Sequence, residues 1–277
     1  MSAGSPRVFH ATSDDGTRLR LGRWGDGDRD VLLVHGLAEH LGRYQHVAEA
    51  MVAAGWRVTM VELRGHGKSG GRRGHTRDWH RYVEDLQAAA SAVGRPFILV
   101  AHSMGGLVAL DTLREPLTPA VRAVALSNPL IDSPVEVPAL KQKAAALLNK
   151  VAPFFPIANE LDVNLISRDT AVVRAYEADP LVYATVTPRW FSEMNAARAR
   201  VRTAAPSLQV PLRMMIGTAD QICDPRAAEA LARSWGGPAD LAIYDGLYHE
   251  LFNEPEKDTV LAELIDWMGA QWESAND

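Results

Sequence analysis

The stretch of sequence that decides the fold is FILVAHSMGGLVALDTL, residues 97–113. Its first five residues are wholly apolar, which is typical of a strand buried on both faces of a sheet. A helical pattern follows, and Ser103 lies between the two among small neighbours. A tight strand-to-helix turn of this kind strains the serine backbone, lifts the hydroxyl above the sheet and points a helix N-terminus at developing negative charge. The alternative is that Ser103 is an ordinary helix N-cap.

The same alternation of strand and helix extends outward along most of the chain. Short apolar runs that predict strands lie at residues 31–34, 57–63, 97–101, 121–126, 212–216 and 241–244. Helical patterns lie at residues 43–54, 78–93, 104–113, 225–235 and 257–272. Strands that alternate with helices form crossover units, so the sequence predicts an α/β fold with a mostly parallel sheet and helices on both faces. Residues 8–24, with a DDG turn, predict an antiparallel hairpin at one edge.

One long connection interrupts this alternation between the strands predicted at 121–126 and 212–216. It has about eighty residues, whereas connections in such folds usually have 2–6. Within it, residues 135–151 (VEVPALKQKAAALLNKV) place apolar side chains on one helix face. We predict that residues 130–190 form an inserted helical cap, or lid, over a core of residues 1–129 and 191–277. Three lysines of the cap, Lys141, Lys143 and Lys150, would suit an anionic membrane surface.

Composition excludes several classes of function. The chain has 277 residues, 47% of them hydrophobic, and a formal net charge of −5. That length supports one large core, and the acidic balance argues against nucleic acid as a partner. The single cysteine, Cys223, fits a reducing compartment, and no apolar stretch approaches the roughly 20 residues of a membrane span, so we predict a cytoplasmic protein. The arginines at 198, 200 and 202 are typical of a solvated helix face.

A serine nucleophile needs a general base and an acid that orients the base. Asp220 and His249 each come soon after a predicted strand, where open α/β sheets place their functional sites. We therefore predict a catalytic triad of Ser103, His249 and Asp220. Asp132 and Asp224, which also follow the strands of this half of the chain, remain alternatives for the acid.

Acyl transfer also requires two backbone N–H donors around the tetrahedral oxyanion. One donor commonly follows the nucleophile and the other comes from an earlier strand-end loop. Met104 and Leu37, the latter in the HGL segment after the strand predicted at 31–34, would supply these two amides. No cluster of side chains has the spacing of metal ligands, so we predict neither a metal nor a cofactor.

Several longer motifs support a family resemblance. They are HGLAEHLGRY (35–44), RGHGKSGGRRG (64–74), AHSMGG (101–106), SNPL (127–130), YEADPL (176–181) and GLYHELFNEPE (246–256). Together with the chain order serine, acid, histidine, they resemble the α/β-hydrolase superfamily and, within it, the monoacylglycerol lipase and lysophospholipase group. Two positions depart from that pattern: Ala101 replaces the first glycine of G-x-S-x-G, and Phe252 stands where some members carry a second histidine.

The resemblance implies a serine hydrolase that cleaves carboxylic esters of lipids, above all monoacylglycerol to glycerol and free fatty acid through an acyl-enzyme on Ser103. It also implies a polar subsite for glycerol at Glu39, Arg43 and Tyr176; a surface salt bridge and a tyrosine that packs the cap are the alternative for these three. The implied partner is a small lipid ester, with peripheral membrane contact through the cap. The open alternatives are a lysophospholipase, a general carboxylesterase, an aminopeptidase or another capped hydrolase, and a non-catalytic binding protein of the same fold.

Overall fold

An eight-stranded sheet forms the centre of the molecule in the computed structural model, which describes residues 4–134 and 147–274. The described residues form these eight strands and two more outside the sheet, numbered along the chain as β1 (Arg7–Thr12), β2 (Arg18–Trp24), β3 (Arg29–Val34), β4 (Trp56–Glu62), β5 (Phe97–His102), β6 (Val121–Ser127), β7 (Ile157–Ala158), β8 (Thr185–Val186), β9 (Leu212–Gly217) and β10 (Ala239–Tyr244). The order across the sheet is β1-β2-β4-β3-β5-β6-β9-β10, and β7 pairs separately with β8. Only the β1–β2 and β2–β4 pairs of this sheet are antiparallel. This topology confirms the predicted fold class and the hairpin at one edge.

Helices cover both faces of the sheet. The helices are numbered α1 (Gln45–Ala53), α2 (His80–Val93), α3 (Met104–Thr112), α4 (Thr170–Ala178), α5 (Pro188–Ala204), α6 (Pro225–Arg233) and α7 (Lys257–Ser274). Short 3-10 turns lie at Leu41–Tyr44, Val163–Leu165, Ala205–Ser207 and Leu251–Asn253. α2, α3, α5 and α6 pack on one face, while α1 and α7 pack on the other. The five helices predicted from sequence are all present, with ends that differ by a few residues.

The pleat of the strands divides the core into two layers. Along β3, Leu32 and Val34 contact the layer under α2 and α3, whereas Val31 and Leu33 contact the layer under α1 and α7. All four side chains are buried. Each such side chain contributes about 1.5–3 kcal/mol relative to an exposed one. A strand buried on both faces therefore needs the uninterrupted apolar run that the sequence shows.

Residues 130–190 include elements outside the central sheet. Within this segment α4, β7 and β8 are present, and residues 147–151 are helical. The rest of the predicted cap helix, with Lys141 and Lys143, lies outside the described residues. The boundary predicted at 190–191 falls within α5, and the division into core and cap stays a prediction. Within the described ranges, no helix is both long and apolar enough to cross a membrane.

The three arginines predicted to form a solvated face of α5 are not all solvated, and the prediction was wrong for Arg198. This side chain is buried, and its Nε donates to the carbonyl of Ile131 at 3.0 Å. Arg200 and Arg202 stay partly exposed to solvent and pair with Asp111 and Asp132 at 2.8 and 3.0 Å. The spacing of arginines along a helix does not reveal such pairs, because the partners of Arg202 and Arg200 lie 70 and 89 residues away in the chain.

The carboxyl ends of the parallel strands meet at one edge of the sheet. The loops that begin there carry His35 after β3, Ser103 after β5, Asn128 after β6, Asp220 after β9 and His249 after β10. Ligand sites of open α/β sheets lie at this edge.

Candidate active site

A strained turn between β5 and α3 presents the Ser103 hydroxyl. Ser103 has φ 51° and ψ −118°, a conformation that residues with a Cβ rarely adopt. Gly105 makes the turn possible, because a Cβ there would lie 2.5 Å from the carbonyl oxygen of His35. The turn also forms with alanine at the first motif position, where Ala101 is buried near the end of β5.

The structure brings Ser103, His249 and Asp220 into one hydrogen-bonded chain. His249 Nε2 lies 2.9 Å from Ser103 Oγ, and His249 Nδ1 lies 2.8 Å from Asp220 Oδ2. A carboxylate can only accept, so the imidazole proton lies on Nδ1 and Nε2 is free to accept the serine proton. The other carboxylate oxygen, Asp220 Oδ1, accepts the backbone N–H groups of Ile222 and Cys223 at 2.7 and 3.0 Å. These two bonds fix the orientation of the carboxylate.

The pKa of His249 reflects burial against negative charge. Burial lowers the pKa of this imidazole, but the charge and hydrogen bond of Asp220 raise it more, with further help from Glu250 and Glu39. The net shift is upward from the ordinary value for histidine. The site therefore stabilises the protonated form of His249.

Asn128 holds the histidine loop, a role that sequence reasoning missed. It follows β6 with φ 40°, and its Nδ2 donates to the carbonyl oxygens of Tyr248 and His249 at 3.1 and 2.8 Å. Its Oδ1 accepts the N–H of Gly217, at the end of β9, at 2.9 Å. One side chain thus ties the ends of β6 and β9 to the loop that carries His249. The SNPL motif contains this residue, but an isolated asparagine in a sequence gives no sign of its partners.

The two amides predicted to bind the oxyanion belong to segments that adjoin Ser103. Met104 is the first residue of α3, so its N–H has no partner within the helix. Leu37 belongs to the loop after β3, and this loop passes close to the serine: a Cβ on Gly36 would lie 3.2 Å from Ser103 Cβ. Their role as oxyanion donors stays a prediction.

His35 fixes the peptide that carries the Leu37 amide. The N–H of Leu63 donates to His35 Nε2 at 3.1 Å, which leaves the imidazole proton on Nδ1. His35 Nδ1 then donates to the carbonyl oxygen of Gly36 at 2.7 Å. This carbonyl and the Leu37 N–H belong to one planar peptide group, so the hydrogen bond also sets the direction of the N–H.

Glu39, Arg43 and Tyr176, the predicted polar subsite, come together beside the serine. Arg43 forms an ion pair with Glu39 and lies over the ring of Tyr176, 4.5 Å from its centroid. Glu39 Oε2 also accepts the Gly36 N–H and the Tyr44 hydroxyl, both at 2.8 Å. All of these groups are almost completely removed from solvent, so the surface salt bridge considered from the sequence is not what forms.

Glu250 completes this cluster and was not found from the sequence. It follows His249 directly, is buried, and takes two hydrogen bonds from Arg43 at 2.7 and 2.8 Å. Burial opposes ionisation of Glu39, but Arg43 lowers its pKa to about 2. The pKa of Glu250 is raised, because burial and the charge of Glu39 outweigh the attraction of Arg43. The two carboxylates therefore share one guanidinium.

A cavity of about 180 Å³ opens onto the serine. Ser103, His249, Glu39 and Glu250 lie at one part of its wall. The remainder is mainly apolar and includes Leu130, Leu161, Ile166, Val186, Trp190, Phe191, Met194 and Ile222. Several of these residues belong to the segment predicted as the cap and to α5. The cavity thus combines an apolar wall with a short polar one, which suits an amphipathic molecule.

Two further titratable groups, His102 and Cys223, lie beside His249 and Ser103. His102 packs its ring 4.7 Å from that of His249, and burial together with His249 lowers its pKa to about 4, so it is neutral. Cys223 is buried with its Sγ 4.0 Å from Ser103 Oγ, and burial raises the pKa of the thiol. The Sγ atom of Cys223, a carboxylate oxygen of Asp220 and a ring nitrogen of His249 are all atoms that can bind metals, and they lie within 4.8 Å of one another. Both nitrogens of His249 are already engaged by Asp220 and Ser103, an arrangement suited to proton transfer.

The other carboxylates considered from the sequence lie elsewhere. Asp132 forms ion pairs with Arg198 and Arg202, and Asp224 caps the N-terminus of α6 by accepting the N–H of Arg226 at 3.0 Å. Glu160 and Asp162, two carboxylates of the segment predicted as the cap, line a second, larger cavity and not the one at Ser103.

Comparison with known proteins gives one consistent group. The family model described as serine aminopeptidase, S33, matches residues 26–256. Monoacylglycerol lipase of Mycolicibacterium smegmatis is 37% identical over 247 residues, which cover 86% of this chain and 87% of that protein. Phospholipase YtpA of Bacillus subtilis is 31% identical over 240 residues, covering 83% and 91%. The crystal structure of Paleococcus ferrophilus monoacylglycerol lipase superposes with a TM-score of 0.84 at 28% identity, covering 91% of this chain and 99% of that one.

Proposed function

The chain belongs to the α/β-hydrolase family described as serine aminopeptidase, S33, and from this premise we propose that it hydrolyses monoacylglycerol to glycerol and free fatty acid. The observation that carries the proposal is the hydrogen bond between Ser103 and His249 at the wall of an amphipathic cavity. The similarity to monoacylglycerol lipases over most of the chain supports the same substrate class. In this proposal the protein is a carboxylic ester hydrolase.

In the first half-reaction, His249 Nε2 takes the proton of Ser103 as the hydroxyl oxygen attacks the ester carbonyl. The carbonyl oxygen becomes an oxyanion and accepts hydrogen bonds from the amides of Leu37 and Met104. The imidazolium, stabilised by Asp220, then donates its proton to the glycerol oxygen as the ester bond breaks. The products are free glycerol and an acyl-enzyme on Ser103.

The second half-reaction repeats these steps with water. His249 takes a proton from water, which attacks the acyl carbonyl through a second tetrahedral oxyanion. Collapse of this intermediate returns the proton to Ser103 Oγ and releases the fatty acid. The apolar wall of the cavity accommodates the acyl chain, and the polar wall at Glu39 and Glu250 faces the alcohol.

The competing functions differ in their substrates. An aminopeptidase requires carboxylates that bind a free amine, and Glu39 and Glu250 already share Arg43. A panel of monoacylglycerols, lysophospholipids, p-nitrophenyl esters and aminoacyl amides separates the candidates, and we expect the highest kcat/KM on monoacylglycerol. If monoacylglycerols are cleaved no faster than the amides, the proposal fails.

A fluorophosphonate reacts with activated serines, so it should label the protein and not its Ser103→Ala variant. A folded protein that stays unlabelled would indicate a non-catalytic binding protein.

We further propose that the chain contacts lipid surfaces through the segment around residues 147–155. Leu147, Val151, Phe154 and Phe155 are exposed apolar side chains in this segment. A single apolar patch gives weak, reversible attachment, so binding should depend on lipid concentration. The double variant Phe154→Ser/Phe155→Ser should co-sediment less with phosphatidylglycerol vesicles, whereas Ile243→Ser, another exposed apolar position, should not. Equal sedimentation of the two variants would argue against contact through this segment.

A further inference from the structure

Glu39 and Glu250 present carboxylates, and not a cation, to the polar end of the cavity. We call these two side chains the acidic wall. Both line the same cavity as Ser103, whereas Arg43 is not among the lining residues. Arg43 lies behind the wall, with a side chain that is 9% exposed. A substrate at Ser103 therefore meets the carboxylates first.

The hydrogen-bonding capacity of Arg43 is directed away from a substrate. Its Nη1 contacts one oxygen each of Glu39 and Glu250, and its Nη2 donates to the second oxygen of Glu250 at 2.8 Å. The ring of Tyr176 covers one face of the guanidinium, 4.5 Å away. An anionic head group cannot pair with this arginine unless it displaces a buried carboxylate.

The acidic wall retains capacity to accept hydrogen bonds. Among the residues that the structure describes, Arg43 is the one hydrogen-bond donor to Glu250 Oε1, whereas Oε2 accepts from both Arg43 and Asn253. A carboxylate oxygen has two acceptor sites, so Glu250 Oε1 can take a further hydroxyl donor. Glycerol supplies such donors, whereas an ionised phosphate supplies only acceptors and negative charge.

The charges of the cluster do not cancel. With both carboxylates ionised, the cluster carries a net charge of −1, because two carboxylates face one guanidinium, and Asp220 places a further carboxylate close to His249. A second anion brought to this wall would lose hydration without gaining a cationic partner.

We propose that the acidic wall selects lipids with a neutral polyhydroxyl head group and rejects lipids that carry phosphate, with Glu250 as the specificity-determining residue. This inference rests on the proposed function, since it concerns the alcohol part of the ester bound at Ser103. It separates an enzyme that cleaves monoacylglycerol from one that cleaves phospholipids, and the relatives that resemble this chain include proteins named monoacylglycerol lipase and phospholipase. At a separation of ~6 Å and an effective dielectric constant of ~20, one unit charge changes affinity by on the order of 10- to 100-fold.

The test compares two non-hydrolysable inhibitors with the same tail. 1-O-octylglycerol and 1-O-octylglycerol-3-phosphate, both below their micelle concentrations, compete against hydrolysis of a p-nitrophenyl ester. For the unmodified protein we expect the neutral ether to inhibit at a concentration at least ~10-fold lower than the phosphate ether. Glu250→Gln keeps the size of the side chain and removes its charge. It should therefore reduce the ratio of the two inhibitory concentrations, phosphate ether over neutral ether, by ~10-fold, mainly because the phosphate ether binds more tightly.

Glu254→Gln is the matched control. Glu254 is also buried and paired with an arginine, Arg168, at 2.5 Å, but it does not line the cavity. We expect this variant to keep the inhibitor ratio of the unmodified protein. Thermal unfolding of both variants shows whether a changed inhibitor ratio reflects a loss of folding. The inhibitor ratio of the unmodified protein is itself predicted, so the inference can be tested even if a variant does not fold.

Equal inhibition by the two ethers in the unmodified protein, or stronger inhibition by the phosphate, would overturn the inference. So would a ratio that Glu250→Gln leaves unchanged, or one that Glu254→Gln narrows equally. Because the readout is hydrolysis of a simple ester, this result does not depend on turnover of monoacylglycerol. A protein that prefers the neutral ether but fails to cleave monoacylglycerol would contradict only the proposed function.

Discussion

Replacement of Asp220 by asparagine tests the assignment of the acid, because the structure dictates how the new side chain must orient. Asp220 Oδ1 accepts two backbone N–H groups, from Ile222 and Cys223, and Oδ2 faces His249 Nδ1 at 2.8 Å. The asparagine oxygen must take the place of Oδ1, since an NH₂ group there would oppose two donors. Its NH₂ group therefore points at His249 Nδ1.

This orientation forces the wrong tautomer on the base. His249 Nδ1 would have to accept from the asparagine, so the ring proton would move to Nε2, where it blocks uptake of the Ser103 proton. In serine proteases the equivalent change lowers turnover by on the order of 10⁴-fold, and we expect a similar loss here. At about 1.36 kcal/mol per factor of ten, this loss corresponds to about 5 kcal/mol of transition-state stabilisation. Folding should change little, because both backbone hydrogen bonds remain.

The assay is kcat on a soluble p-nitrophenyl ester, with thermal unfolding as the check on folding. Asp224→Asn is the matched control, because Asp224 caps α6 and does not contact His249, and asparagine caps helices equally well. We expect this control to retain near-normal kcat. A folded Asp220→Asn variant that keeps more than about a tenth of the activity would show that Asp220 does not orient the base.

Three other predictions concern the base, the elbow and the oxyanion loop. Since His249 must be neutral to accept a proton and its pKa is raised, kcat/KM should fall with decreasing pH through a midpoint above the ordinary histidine value; a pH profile with a lower midpoint would contradict this. Gly105→Ala should destabilise the fold by about 2 kcal/mol or more in denaturant unfolding, because its Cβ would lie 2.5 Å from the His35 carbonyl oxygen; an unchanged midpoint would show that the loop yields easily. His35→Phe removes the hydrogen bond to the Gly36 carbonyl and should lower kcat by about 10- to 100-fold with little change in KM, whereas unchanged kcat would mean that the loop holds its amide without this contact.

Elements with a strong local pattern were predicted well from the sequence. The strand at Phe97–His102 needs an apolar side chain at nearly every position, because both faces of the sheet are covered. Ser103 could be placed between strand and helix, because small neighbours are a local requirement of the turn. Arg198, within α5, shows the limit of such prediction, since this buried side chain donates to the carbonyl of Ile131, far from its own helix in the chain.

The sequence by itself determined the order of strands and helices, the serine turn and the chain order of serine, acid and histidine. Periodicity and turn chemistry are properties of neighbouring residues, so they can be recognised without a structure. Only the tertiary structure decided that Glu250 joins Glu39 around Arg43, because Glu250 and Arg43 are 207 positions apart in the chain. Glu250 alone, next to His249, looks like any surface carboxylate. Its burial against one shared guanidinium gives the site its negative wall and, with it, the head-group selectivity proposed above.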